Sequence, residues 1–197
     1  MGRRRDIGRP RHRPKFSERF GVIYADPPWS YQIQISPTWK FDYRTMSNAD
    51  IAAMPIKDLA ADDAVLFMWS TSAHLAKAFN VINAWGFDYK SSFVWNKGNI
   101  GWGYYFRGQH ELLLMATRGS PGTPPPAARV PSVLNSARSE HSQKPDEVYT
   151  IIEQMYPDLP KLELFARQKR DGWASWGNEV RRDYNPKILK RYFRPAA

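Results

Sequence analysis

Four consecutive residues, Asp26-Pro27-Pro28-Trp29, bring together groups that could bind and orient an amine. Proline lacks a backbone N–H and fixes φ, so the segment presents a carboxylate and rigidly held carbonyl oxygens, with few donors. Such acceptors suit a ligand amine that presents two N–H donors, and Trp29 adds a flat apolar surface on which a base can stack. The alternative is a turn that only ends a strand; the composition and position of the segment favour a site.

We call the carboxylate of Asp26 and the carbonyl oxygens beside it the acceptor cage. Such a cage fits methylation of a nucleobase amine. The lone pair of the exocyclic amine of adenine is delocalised into the ring, so acceptors that hold both hydrogens favour its localisation toward a methyl donor. A methyl carried by a sulfonium transfers directly, and no covalent enzyme intermediate is needed. The base must first leave its stack. Other planar amines, such as that of cytosine or of a glutamine side chain, fit the cage as well.

The elements that must position this segment are visible in the apolar pattern. The run Gly21–Ala25 predicts a buried strand that ends at the prolines. Further strands are predicted at 64–70, 87–96, 111–117 and 162–166, and helices after Ser47, over 75–85 and from Pro145. Residues 118–143, with five prolines, indicate a long irregular loop. The alternation predicts an α/β sheet with helices on its faces, in which sites form at the carboxyl ends of strands.

Composition excludes several classes of chemistry. The chain has 197 residues, 42% of them hydrophobic, and no cysteine. Disulfides, cysteine-ligated zinc and cysteine nucleophiles are therefore excluded, including the cysteine-dependent cytosine ring methyltransferases. The four histidines have no metal-ligand spacing, so no metal is expected. No apolar run approaches the roughly 18 residues of a membrane span, and no signal-peptide core follows the basic N-terminus; a soluble, intracellular, cytoplasmic protein is expected.

The net charge of +10 is unevenly placed. Residues 1–20 hold eight Lys or Arg and two acids, residues 161–197 hold ten and four, and the middle of the chain is nearly neutral. A neutral body with basic ends suits a polyanion such as nucleic acid, although a solvated tail and helix face would give the same pattern. This divides the chain into a basic arm at 1–15, a domain at 16–180 and a basic tail at 181–197.

Asp-Pro-Pro-Trp after an apolar strand resembles the adenine-N6 methyltransferases that include the catalytic subunit of the eukaryotic messenger-RNA methyltransferase. The likeness is greatest to short bacterial and phage members and covers about residues 20–180. It also rests on the blocks Tyr43–Ser47, Trp85–Phe87, Phe93–Lys97, His110–Leu114, Arg118-Gly119, His141–Glu147, Leu162–Arg167 and Gly172–Glu179. It implies a Rossmann-like sheet with helices on both faces and a permuted motif order, the catalytic motif first and the cofactor half last.

The resemblance implies roles for the first motif. Asp26 would contact the target amine and lie near the methionyl amino group of S-adenosylmethionine. The carbonyl of Pro27 would accept the second amine hydrogen, Pro28 belongs to the same catalytic motif, and Trp29 would stack on the adenine or wall its pocket. Tyr43 and Glu111 match positions near the target adenine, and Trp95 and Lys97 lie in a block that borders that pocket.

The same resemblance assigns the cofactor residues. They are Asp26, Lys144, Phe165, Arg167, Asn178 and Glu179. Lys144 would reach the methionyl carboxylate or the ribose region, and a lysine beside the start of a helix suits a carboxylate partner. Asn178 and Glu179 would bind the ribose hydroxyls and the adenine edge. The segment Leu164-Phe165-Ala166-Arg167 stands in place of a glycine-rich loop, so S-adenosylmethionine is implied by the resemblance and not by a loop motif.

The function expected is therefore transfer of a methyl group from S-adenosylmethionine to the N6 amine of adenine, in DNA more than in RNA. Alternatives are methylation of the cytosine N4 amine, a non-catalytic nucleic-acid-binding subunit beside an active partner, and a purely basic RNA-binding module. A homodimer or heterodimer fits the resemblance. The stretch Gly98–Gly108 either grips unstacked bases or packs on the core as an aromatic hairpin.

Overall fold

The computed structural model describes residues 19–30, 45–101, 103–137, 143–180 and 187–192. Within these residues, the strands are β1 (Phe20–Ala25), β2 (Ala60–Ser70), β3 (Asp88–Asn96), β4 (His110–Arg118), β5 (Val133–Asn135), β6 (Lys161–Leu164) and β7 (Trp173–Trp176). The helices are α1 (Asn48–Ala52), α2 (Leu75–Ala84) and α3 (Glu147–Met155), with short 3-10 segments at Ile56–Asp58, Ser72–His74, Pro126–Ala128 and Lys187–Tyr192.

All of these strands join one sheet in the order β5-β3-β4-β2-β1-β6-β7. β4 runs antiparallel to β2 and β3, and every other neighbouring pair is parallel. The carboxyl ends of β1, β2, β3, β6 and β7 therefore lie at one edge of the sheet, together with the amino end of β4. Side chains that follow these strands are brought together there, as the rule for open α/β sheets requires.

The central strand β1 separates two halves of the core. Ile23 and Ala25 face a cluster that includes apolar residues of α1 and α2. Val22 and Tyr24 face a second cluster, which includes apolar residues of α3. This alternation follows from the two-residue period of a strand. Because helices cover both faces, the predicted α/β architecture is confirmed.

The residues predicted to begin α1 and to end α2 do so in the structure. The Oγ of Ser47 accepts a hydrogen bond from the backbone N of Asp50 at 3.0 Å and caps α1. Gly86 ends α2 with a φ of +81°, a conformation that glycine adopts without steric cost. The sequence predicted that α3 begins at Pro145. In the structure the helix begins at Glu147, so Pro145 lies just before it. Of the helices described, none is long and apolar enough to span a membrane.

The structure differs from the prediction in the short elements. The 118–143 segment is not wholly irregular, since it contains a 3-10 turn and β5, which pairs with β3. β7 was not predicted, and β2 begins four residues earlier than expected. The strand predicted at 162–166 ends at Leu164 because Phe165 has a φ of +63°. Lys187–Tyr192, within the stretch assigned to a basic tail, forms a 3-10 helix whose Leu189 is buried in the core.

Candidate active site

The catalytic segment predicted from the sequence leaves β1 at the edge where the carboxyl ends meet. The backbone N of Trp29 donates to the carbonyl of Pro27 at 2.8 Å, and the backbone N of Met46 donates to the carbonyl of Pro28 at 2.8 Å. Both proline carbonyls are thus held by the backbone. A carbonyl oxygen has two lone pairs, so each can still accept a second hydrogen bond.

Four of the predicted residues form one continuous chain of ion pairs. Lys144 Nζ lies 2.7 Å from Asp26 Oδ2 and 3.2 Å from Glu111 Oε2. Lys97 Nζ lies 3.1 Å from Glu111 Oε1. Asp26 follows β1, Lys97 follows β3, Glu111 begins β4 and Lys144 precedes α3. The sheet topology therefore assembles residues that lie as far as 118 positions apart in the chain.

Burial and charge act against each other in this network. Burial raises the pKa of Asp26, and the ammonium of Lys144 offsets part of that rise. Burial alone would lower the pKa of Lys144, but the carboxylates of Asp26 and Glu111 outweigh it and the pKa is raised. The pKa of Glu111 is lowered, because Lys144 and Lys97 outweigh its burial. The lysines thus favour the ionised form of both carboxyl groups.

Lys144 also contacts the face of an aromatic ring. Its Nζ lies 5.5 Å from the ring centroid of Trp69, within cation–π range. The indole N–H of Trp69 donates to the hydroxyl of Tyr24 at 2.7 Å. The lysine is therefore fixed by two carboxylates and one aromatic face, all supplied by sheet strands or by the turn after β1.

The turn after β6 packs tightly against the turn after β7. Phe165 adopts a φ of +63°, a left-handed conformation that costs energy for any residue with a Cβ. The backbone N of Ala166 donates to the carbonyl of Trp176 at 3.0 Å. A Cβ at position 177 would lie 2.1 Å from the carbonyl oxygen of Ala166, so only glycine fits there. Phe165 thus makes the sharp turn that a glycine-rich loop makes in other nucleotide-binding sheets.

An open cleft of about 210 Å³ lies beside Asp26 and this turn. Its lining residues are Tyr24, Asp26, Gln143, Lys144, Tyr149, Glu163, Phe165, Arg167, Gln168 and Glu179. Five of the six residues that the resemblance assigns to the cofactor are among them. Arg167 and Glu179 form an ion pair in the lining of the cleft, with Nε and Oε1 3.6 Å apart. Asn178, the sixth, is exposed after β7 and does not line this cleft.

Sequence reasoning assigned five of the ten cleft residues and missed the other five, of which Glu163 is the acidic one. This side chain is only 7% exposed, and the hydroxyl of Tyr149 donates to its Oε1 at 2.7 Å. Among the residues that the structure describes, its Oε2 has no hydrogen-bond partner although it is buried. Burial raises the pKa of Glu163 to about 7. The available signal was a glutamate inside the buried run 161–164, since an ionisable group in a buried strand beside a site points to function.

Two tryptophans assigned to substrate contacts lie in the core instead. Trp29 is 6% exposed, stacks on His74 at 5.6 Å and donates its indole N–H to the carbonyl of Trp69. Of the two roles that the resemblance implies for Trp29, the buried ring favours a wall of the adenine pocket over an open stacking face. Trp95 is 2% exposed and donates to the carbonyl of Ser136 at 2.8 Å, so it supports the site from within the core. Tyr43 lies outside the described residues.

The comparison with known protein families agrees with this geometry. The family model named MT-A70 matches residues 20–179, from the first residue of β1 to the turn after β7. The chain belongs to the MT-A70 family. The matched range contains every site residue described above, and the resemblance inferred from the motifs is confirmed.

MT-A70 relatives of two sizes match this chain. It is 35% identical over 184 residues to a type II methyltransferase, M.MunI, from Mycoplasma sp, and the match covers 83% of this chain and 78% of that protein. It is 27% identical over 172 residues to the human N(6)-adenosine-methyltransferase catalytic subunit METTL3, covering 82% of this chain and 28% of that protein. An MT-A70-like protein of Drosophila melanogaster gives a similar match, 27% identical, with 27% of its length covered.

These relatives establish the class of the protein. The chain spans most of the type II methyltransferase but only about a quarter of the METTL3-like relatives. It is therefore a methyltransferase of the MT-A70 family, with the fold that its motif order predicted.

Proposed function

We propose that this protein transfers a methyl group from S-adenosylmethionine to the N6 amine of adenine in nucleic acid, with DNA favoured over RNA. The observation that carries the proposal is the Asp26 carboxylate. It is paired with Lys144 at 2.7 Å and lies next to the carbonyl of Pro27, at the mouth of a cleft with further charged groups. This is the acceptor cage that an exocyclic amine needs, and it lies next to a pocket for the methyl donor.

The cleft residues fit S-adenosylmethionine. Its cationic end would lie against the carboxyl groups of Asp26 and Glu163. The buried Oε2 of Glu163 could accept a hydrogen bond there, because it has no partner among the described residues. Lys144 would hold the methionyl carboxylate, and Glu179 would accept hydrogen bonds from ribose hydroxyls. Phe165 and Arg167, which also line the cleft, complete this set, with Asn178 beside it. When bound, the cofactor supplies an electrophilic methyl group on a sulfonium.

Asp26 accepts hydrogen bonds from the target amine, and Lys144 helps to keep its carboxyl group in the ionised form that can do so. Burial raises the pKa of Asp26, and a protonated carboxyl group would replace one acceptor site with a donor. The ammonium of Lys144 favours the ionised form. The second oxygen of Asp26 and the second lone pair of the Pro27 carbonyl can then take the two amine hydrogens, while Pro28 and Trp29 hold the turn in place.

The substrate side is formed by the other end of the ion-pair chain. Glu111 lies between Lys144 and Lys97, so its position is fixed relative to Asp26. We assign Glu111 and Lys97 to the pocket of the target adenine, with Trp95 behind them in the core. Tyr43 is assigned to the same pocket on the sequence resemblance alone.

The preference for DNA is supported by the comparisons. The identity to the type II methyltransferase is higher than to the METTL3-like proteins and extends over most of its length. The net charge of +10 suits either polymer. A homodimer or heterodimer stays an expectation from the resemblance.

The test supplies S-adenosylmethionine with matched single- and double-stranded DNA and RNA oligonucleotides, followed by digestion to nucleosides and mass spectrometry. N6-methyladenine in DNA is the expected product. N4-methylcytosine would overturn the assigned base, and more product in RNA would overturn the assigned polymer. No product despite measurable cofactor binding would favour the non-catalytic subunit.

An Asp26→Asn variant tests the role of the cage. We expect it to fold and to bind the cofactor, with transfer slowed about 10²-fold or more, the scale on which positioned catalytic groups act. Asp88→Asn is the matched control, because Asp88 is exposed at the opposite edge of the sheet, where β3 begins. Nearly full activity in Asp26→Asn would contradict the proposed role.

A further inference from the structure

The loop between β3 and β4 carries three consecutive aromatic side chains that are almost fully exposed. Tyr104, Tyr105 and Phe106 are 83%, 97% and 92% exposed. Of the two interpretations of this stretch, packing on the core is therefore wrong for its tip. Single exposed apolar residues are ordinary, but adjacent ones that protrude from the surface mark an interaction site. We call these three residues the aromatic tip.

The loop presents the aromatic tip through a defined turn. The backbone N of Gly101 donates to the carbonyl of Gly108 at 2.7 Å, which closes the base of the loop. The Nε of Arg107 donates to the carbonyl of Gly101 at 2.7 Å. A Cβ at Gly103 would lie 1.9 Å from the carbonyl oxygen of Phe106, so the turn requires glycine. A partner therefore meets rings whose backbone is already ordered, which lowers the entropic cost of binding.

The loop rises from the edge of the sheet that holds the candidate active site. It leaves β3 at Lys97 and enters β4 one residue before Glu111, and these two side chains form an ion pair. Glu111 is linked through Lys144 to Asp26. Residues 97–109 contain a lysine and an arginine and no acidic residue. The aromatic tip thus stands beside the proposed methyl-acceptor site on a loop without acidic residues, so no carboxylate of the loop repels a polyanion.

We propose that the aromatic tip stacks on unpaired bases that flank the target adenine, so that the preferred substrate is a single-stranded or locally unpaired nucleic acid. This rests on the proposed function, and it adds the strand state of the substrate. Aromatic rings stack on bases of any sequence, and each stacked base contributes about a tenfold change in affinity or more. Base faces are covered in a paired duplex, so this contribution is available only from an unpaired strand.

The test measures binding by fluorescence anisotropy of a labelled single-stranded oligonucleotide and of a fully paired duplex with the same sequence. In the triple variant Tyr104→Ala, Tyr105→Ala, Phe106→Ala, we expect single-strand affinity to fall about tenfold or more and duplex affinity to change less than twofold. A triple leucine variant, which keeps apolar area without rings, should lose as much. Ile100→Ala is the matched control, since this residue is 66% exposed in the same loop and has no ring.

Several outcomes would overturn the proposal. These are an unchanged single-strand affinity, an equal loss on both substrates, and full rescue by leucine. A change of oligomeric state in sedimentation with unchanged oligonucleotide binding would make the aromatic tip a protein interface. Cofactor titration of each variant verifies its fold. Failure of the proposed function is separate: the wild-type protein would then form no N6-methyladenine on any oligonucleotide, whatever the variants bind.

Discussion

The buried carboxyl group of Glu163 gives the sharpest quantitative test of the site. Its side chain is 7% exposed and receives a hydrogen bond from Tyr149, with no cation paired to it at hydrogen-bond distance among the described residues. Burial raises its pKa from 4.5 to about 7. The folded protein therefore holds a proton on Glu163 at pH values where the unfolded chain has lost it.

The sign and size of the effect follow from this shift. Because folding raises the pKa of this acid, the contribution of Glu163 to the free energy of unfolding is greatest below pH 4.5 and is lost as the pH rises to 7. Each pKa unit corresponds to about 1.4 kcal/mol, so the loss above pH 7 is about 3 kcal/mol. Glutamine keeps the shape and cannot ionise. The stability of Glu163→Gln relative to wild type should therefore rise by about 3 kcal/mol between acidic pH and pH 8.

The measurement is urea unfolding of both proteins, followed by tryptophan fluorescence, at closely spaced pH values from 5 to 8.5. The pH dependence of the other groups is common to both proteins and cancels in the difference. Glu147→Gln, an exposed position at the start of α3, controls for the substitution itself. A flat difference for Glu163→Gln across this range would refute the argument that burial leaves this carboxyl group protonated near neutral pH.

Three further predictions concern ligands. Lys144→Met should weaken binding of S-adenosylmethionine by tenfold or more in calorimetry, because a charge-assisted hydrogen bond contributes about 1.5–3 kcal/mol; an unchanged affinity would remove Lys144 from the cofactor site. Deletion of residues 1–15 should weaken nucleic-acid binding and flatten its salt dependence, whereas an unchanged slope would show that the arm makes no phosphate contact. Chelators should leave methyl transfer unchanged, since direct transfer from a sulfonium needs no Lewis acid, and a requirement for a divalent ion would contradict this mechanism.

The parts of the fold that were predicted are those encoded locally. β1 is an apolar run ended by prolines, α1 begins at a serine cap, and α2 ends at a glycine with positive φ. β5 and β7 have only three and four residues and owe their existence to pairing with β3 and β6. The residues of these two strands have no local pattern that distinguishes a strand from a loop. Such elements are fixed by the neighbouring strand, which the sequence does not reveal by itself.

The residues of the site likewise include some that the local sequence identifies and others that depend on the fold. Asp26 could be identified from its own neighbours, because the prolines beside it remove donors and fix the backbone. The pairing of Asp26 with Lys144 depends on the sheet order, and only the family resemblance placed the two residues in one site. Glu163 was missed because its signal, a glutamate in a buried strand, identifies a site only once the burial of that strand is known. The sequence left two roles open for Trp29, because a tryptophan after a strand end can face either a ligand or the core. Its stacking on His74 favours the role of a wall.

Two of the three carboxyl groups that line the cleft, those of Asp26 and Glu163, have different surroundings that suit them to different tasks. Asp26 lies against an ammonium at 2.7 Å, which favours the anion needed to hold the target amine. Glu163 accepts a hydrogen bond from the hydroxyl of Tyr149, and its other oxygen has no partner among the described residues. Burial raises its pKa, so its protonated form persists to about pH 7. A cationic ligand beside Glu163 would favour its ionisation and complete its hydrogen bonding. Cofactor binding should therefore release a proton near neutral pH in the wild type, and calorimetry in buffers of different ionisation enthalpy should show no such release in Glu163→Gln.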